Sequence, residues 1–157
     1  MRIKILVLGL ACLMIYSCAT APAPRQITKA FPIEATFDEV WPAVIESFAE
    51  LNLPIQNVEK DSGLITTDWI SFTGQKNTDY CDCGGLGISV ERSREGRFNV
   101  FVKRTSDSSC EVVVNCIYRQ TLETIKGTLA GTRSCVSTGI LEADMFEIIK
   151  SKLEIEQ

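Results

Sequence analysis

Seven cysteines and no histidine bound the chemistry open to this chain. Cys81-Asp82-Cys83 offers two thiols one residue apart, and Cys135 stands further along in Ser134-Cys135-Val136. Three readings compete for them. A soft metal such as Cu(I) takes thiolate ligands, with Cys135 as the third. A redox pair is the second, although two intervening residues are usual and no base flanks this pair. The third is a structural bridge from one of the two to Cys135. Cys110 and Cys116 fall on what reads as one strand, about 20 Å apart at ~3.3 Å per residue, and cannot pair with each other while that strand is intact.

The missing histidine removes Ser-His-Asp and Cys-His catalysis in their usual forms, and with them His-based zinc sites. Paired carboxylates occur at Asp38-Glu39, Glu59/Asp61 and Glu142/Asp144. The first and third fall in first helical turns, where acids complement the positive end of the helix dipole. Gly84-Gly85-Leu86-Gly87 lacks the lysine and Ser/Thr of a phosphate loop. Nothing assembles nucleophile, base and orienter, so the expectation is a non-enzyme with no cofactor and no resident metal. Trp41 and Trp69 are expected in a core between helix and sheet, the alternative being that they line a ligand or partner groove.

The N-terminus decides the compartment in which these thiols work. Arg2 and Lys4 precede an apolar run over residues 5–16. Twelve residues are too few to span a bilayer, which takes about 20, so the layout is that of a secretory signal. Ile15-Tyr16-Ser17-Cys18 resembles the lipobox of bacterial lipoproteins: a branched apolar residue, then a small one directly before cysteine. Cys12 is a poorer fit, with too short an apolar stretch before it. The resemblance implies cleavage before Cys18, diacylation of its sulfur and acylation of the new amine with palmitate-type chains. Two or three such chains give stable anchoring where one does not. Ala19 rather than aspartate follows, which favours the outer membrane, with the domain facing the periplasm.

Export makes disulfides expected. With Cys18 acylated, five cysteines remain, so at least one stays free. Cys83–Cys135 is the favoured bridge and Cys81–Cys135 the alternative. Closing a loop of about 50 residues is worth up to roughly 4 kcal/mol on a chain-entropy treatment.

Residues 1–17 thus read as signal peptide, 18–27 as lipidated N-terminus and Pro-rich tether, and 28–157 as one domain. Loss of Arg2 and Lys4 leaves 14 basic against 20 acidic residues, a net charge of −6. That is a poor basis for nucleic-acid binding, which relies on phosphate neutralisation. The basic residues Arg92, Arg94, Arg97, Lys103 and Arg104 alternate with acids and read as a hairpin rim.

Thr36-Phe37-Asp38-Glu39 fits a capping box. Phe37, Val40, Trp41, Val44, Phe48 and Leu51 follow at helical spacing, ended by Asn52 and Pro54. Residues 54–60 and 64–70 flank an Asp61-Ser62-Gly63 turn as a hairpin. A second hairpin pairs 97–104 with 110–120, residues 121–135 read as a polar loop, and a last helix spans about 139–154. The fold class is α+β: an antiparallel sheet of four to five strands with two helices packed on one face.

Within this frame, Phe37-Asp38-Glu39-Val40-Trp41-Pro42 and the Asp61-Ser62-Gly63-Leu64-Ile65 turn into the strand bearing Trp69 resemble the repeated domain of the BamC (NlpB) lipoproteins. These are accessory subunits of the outer-membrane β-barrel assembly machinery. The resemblance implies a helix-grip fold and an envelope protein as partner. The expectation is a lipid-anchored, non-catalytic interaction module. The alternative is a periplasmic carrier of a small apolar ligand or a Cys-x-Cys soft-metal binder.

Overall fold

The computed structural model describes residues 20–72 and 79–155. Residues 1–17 and Cys18 lie outside the described residues. Elements follow in the order β1 (Ala30–Ile33), α1 (Phe37–Glu50), β2 (Ile55–Glu59), β3 (Leu64–Thr67), β4 (Ile70–Ser71), β5 (Cys81–Asp82), β6 (Val90–Ser106), β7 (Ser109–Glu123), β8 (Leu129–Ser137) and α2 (Ile140–Ile155). The protein is α+β, with two helices and an open antiparallel sheet of eight strands.

The sheet is larger than the four to five strands read from sequence. Its main path runs β2-β3-β6-β7-β8-β5, with β1 paired to β7 and β4 to β6. Residues 121–135 are not a loop. Their first part completes β7, and β8 pairs back onto it from Tyr118↔Cys135 to Glu123↔Leu129. The segment Leu-Ala-Gly-Thr-Arg-Ser-Cys-Val-Ser shows no apolar alternation because it buries little. Main-chain hydrogen bonds to β7 hold it instead.

The long β6–β7 hairpin is the spine. Its register pairs Phe98↔Cys116, Val100↔Val114 and Val102↔Val112, all on one face by strand alternation. The side chains of Phe98, Val100, Val102, Val112 and Val114 are buried with Val40, Val44 and Phe48 of α1 and Leu141, Met145 and Ile149 of α2 in one cluster. Each helix contacts β7 as well as the other helix.

Helix α1 forms where its sequence dictates. The Glu39 carboxylate accepts from Thr36 N–H at 2.8 Å and Thr36 Oγ1 at 2.7 Å. Pro42 lies inside the helix and takes the donor from the Asp38 carbonyl, but both residues are exposed, so the loss falls on the solvent side of the helix. Asn52 takes a positive φ of 55° and Leu53 N–H reaches back to Phe48 O at 2.8 Å, the Schellman ending. Between β2 and β3, Gly63 at φ +72° abuts Val102 O so closely that a Cβ would sit 2.2 Å from it. Only glycine allows this turn to dock against β6. Among the described residues, no helix is long and apolar enough to cross a membrane.

Candidate functional site

The polar end of the sheet is built from three neighbouring rows that share one face. Cys81↔Ser137 and Asp82↔Val136 set the register of β5 on β8. One step further, Cys83 comes opposite Cys135, and Cys135 is in turn opposite Tyr118. Register therefore selects between the two candidate thiols: Cys83 and Cys135 are bonded, with Cα atoms 4.3 Å apart, while Cys81 faces Ser137.

Cys81 remains a thiol 3.9 Å from Cys83 Sγ. The three sulfur atoms lie within 4.8 Å of one another. Burial pushes the Cys81 thiol above its ordinary value, against a smaller opposing pull from the neighbouring Arg94 guanidinium. Only the thiolate attacks a disulfide, so Cys81 is a poor nucleophile at neutral pH despite its position.

The adjoining row carries hydrogen-bonded polar groups. Arg94 pairs with Glu91 at 2.6 Å, and Gln120, fully buried, donates from Nε2 to the same carboxylate. Arg133 Nε donates to Gln120 Oε1 at 2.8 Å, and its two terminal nitrogens donate to Gly85 O at 2.9 Å and Gly84 O at 3.2 Å. This chain of bonds ties β6, β7 and β8 to the loop after β5. It gives the half-buried guanidinium of Arg133 three acceptors, as burial of a charge requires.

On the helix side, Ser137 Oγ donates to both carboxyl oxygens of the fully buried Glu142, at 2.8 and 3.0 Å. Cys116 and Tyr118 lie beside them. Burial first, then the Glu142 charge, pushes the Cys116 thiol far up, and burial does the same for the Tyr118 phenol. Cys110 is also buried and free.

The segment ahead of β1 is strapped to this end rather than dangling. Thr20 O accepts from Gly85 N–H at 3.0 Å. Arg25 lies 4.0 Å from the Asp82 carboxylate, and Ile27 packs on Gly139. Gly84, at φ +72°, passes so near Thr20 that a Cβ would meet its carbonyl oxygen at 2.1 Å. The Gly84-Gly85 pair is thus a seat for the tether, a role its lack of phosphate-loop residues left open.

Trp41 and Trp69 do not line a common groove. Trp41 is buried in the core and stacks on Phe37 with centroids 5.4 Å apart. Trp69 lies half-buried under Arg119 and Arg97, whose Cζ atoms are 4.0 and 5.4 Å from its ring. Those arginines alternate with the inward Phe98 and Tyr118, so Trp69 covers the opposite face of the sheet. The basic stretch is likewise committed internally: Arg94 to Glu91, Arg97 to Trp69, and Arg104 over the Phe37 ring at 3.6 Å.

A groove of about 300 Å³ runs beside α2, walled by Pro32, Ile33 and Ala35 on one side and Phe146 and Leu153 on the other, with Lys150 and two glutamates at its rim. No family model matches the chain, and no curated protein matches it.

Proposed function

We propose that the protein is a lipid-anchored, non-catalytic envelope protein. It would be exported, cleaved before Cys18, acylated there, and held at the outer membrane with its domain facing the periplasm. It would present that domain to another envelope protein as an accessory module akin to the outer-membrane assembly lipoproteins. A helix-grip relationship, α1 lying across the β6–β7 spine, accompanies this reading.

The observation that carries it is the groove between β1 and α2. The buried polar groups are largely occupied with one another, as in the Cys83–Cys135 bridge and the Ser137–Glu142 contact. The groove instead offers an apolar floor with a charged rim, the composition of a protein-binding patch. Affinity pull-down of the full-length protein from crosslinked envelopes tests it. Partners should be enriched, β-barrel assembly components among them. They should diminish with Cys18→Ser, which removes the anchor, and with Ile33→Asp/Leu153→Asp, which charges the groove. Enrichment indifferent to both changes would refute the reading.

A second reading rests on the three-sulfur cluster. Once Cys83–Cys135 is reduced, Cys81, Cys83 and Cys135 form a compact trigonal set suited to Cu(I). Reduced protein titrated with Cu(I) against a competing chelator should bind one ion, and Cys81→Ser should abolish that binding. Unchanged affinity in Cys81→Ser would exclude the trigonal site.

A further inference from the structure

Five apolar side chains stand out of the sheet at the end where the tether is seated. Leu86, Ile88 and Val90 lead into β6, Ile125 lies in the β7–β8 turn, and Leu129 opens β8. Ile88 is 83% exposed, Ile125 82% and Leu129 65%, the most exposed large apolar residues among those described. Ile88 and Ile125 line the same shallow depression, with Ser89, Thr124, Thr128 and Lys126 around it, and Val90 and Leu129 stand on either side of Glu123 in the sheet. Exposed apolar clusters mark interaction sites.

The tether says what this one meets. Thr20 is hydrogen-bonded to Gly85, the residue before Leu86. Only Ala19 separates Thr20 from Cys18. Two residues of extended chain reach at most about 7 Å, and the three from Gly85 to Ile88 about 10 Å. If Cys18 carries acyl chains, the bilayer surface must pass within that distance of Thr20. The apolar tip then lies within roughly 20 Å of the anchor, close enough to enter the bilayer when the domain tilts toward it.

We infer that Leu86, Ile88, Val90, Ile125 and Leu129 form a membrane-docking tip that inserts beside the lipid anchor and fixes the orientation of the domain. The inference rests on the acylation of Cys18 proposed above. The apolar side chains enter the interface, the Ser and Thr hydroxyls lie at the headgroups, and Lys126 extends toward lipid phosphates. An anchor alone leaves a domain free to swivel. A second contact at the tip would hold it upright, with the α2 groove at a constant position relative to the bilayer.

The test uses the full-length protein, purified in detergent and reconstituted into equimolar phosphatidylethanolamine–phosphatidylglycerol vesicles, with brominated acyl chains as depth quenchers. Ile125→Trp reports on the tip and Val58→Trp on β2, the opposite edge of the sheet. Both side chains are exposed, so neither change disturbs the core. Brominated lipid should quench the added emission of Ile125→Trp several-fold more than that of Val58→Trp. Equal quenching would overturn the docking tip. Ile125→Trp shielded from aqueous acrylamide but untouched by brominated lipid would also overturn it, in favour of a protein contact. Mass measurement of the Cys18 peptide separates the two levels. An unacylated Cys18 refutes both readings, whereas an acylated Cys18 with an unquenched tip refutes only this one.

Discussion

Ser137 Oγ donates to both oxygens of the Glu142 carboxyl, 2.8 and 3.0 Å away, and accepts from Gly139 N–H at 3.1 Å. One hydroxyl thus shares its hydrogen between the two oxygens of a fully buried acid while ordering the backbone that starts α2. The neighbouring Thr138 contributes its own bonds, from N–H to Tyr80 O at 3.0 Å and from Oγ1 to Asp79 O. The junction between β8 and α2 is therefore a polar knot that runs from the buried Ser137–Glu142 contact out to the surface at Thr138. It ties the last helix to the segment that carries Cys81 and Cys83.

Ser137→Ala should cost about 1–3 kcal/mol, the range for leaving a buried polar group without its partner. Glu142→Leu in the same background should recover part of that loss, because it removes the orphaned group as well. Denaturant midpoints of the single and double variants give the comparison. A loss that simply adds in the double variant would show the two residues to be energetically independent.

The Cys83–Cys135 bridge closes a sequence separation of 52 residues. Its removal by Cys83→Ser should lower stability by up to roughly 4 kcal/mol, and reductant should then have no further effect. Cys81→Ser should leave both the midpoint and its response to reductant near those of the parent. The register of β5 on β8 places Cys81 opposite Ser137, not Cys135.

Gly84→Ala places a methyl group 2.1 Å from Thr20 O at a φ of +72°. Loop and tether cannot both keep their places. The prediction is local release of the strap, with a strain cost of about 1–2 kcal/mol if the loop holds its conformation. Tryptic cleavage after Arg25, which lies along the strap beside Asp82, should accelerate several-fold while the domain resists. An unchanged cleavage rate would mean that the seat does not hold the tether in solution.

Two thiols contribute to the alkaline limb of stability. Cys81 and Cys116 are both raised above the ordinary 9.0, chiefly by burial. The folded state retains protons that the unfolded chain releases near that value. Stability is therefore fully present below about pH 9 and falls as pH rises beyond it. Denaturation midpoints measured from neutral pH to about pH 10.5 should show this decline, and Cys116→Ala should make it shallower. For the same reason, Cys81, Cys110 and Cys116 should react slowly with a thiol reagent in the native protein and readily once it is unfolded.

Local patterns account for what was legible in the sequence. Thr36 with Glu39, the spacing from Phe37 to Phe48 and the stop at Asn52 define α1 through interactions between residues near in sequence. The Asp61-Ser62-Gly63 turn and the alternation of Phe98, Val100 and Val102 against Val112 and Val114 define two hairpins in the same way. Each signal is a period or a turn, carried by the residues that form it.

The tertiary structure alone decided the remainder, because its determinants lie in distant strands. Strand β8 has no apolar period, being held by the main chain of β7. The two faces of the sheet, with Trp41 under one and Trp69 on the other, follow from pairing rather than composition. Sequence narrowed the bridge to Cys81 or Cys83 with Cys135, and the β5–β8 register brought Cys83 into place. Glu142 read as a first-turn acid complementing the helix dipole, yet β8 delivers Ser137 to it and the core closes over both. A side chain's chemistry is written in the sequence, but its solvent and its partner are set by whichever strand arrives beside it.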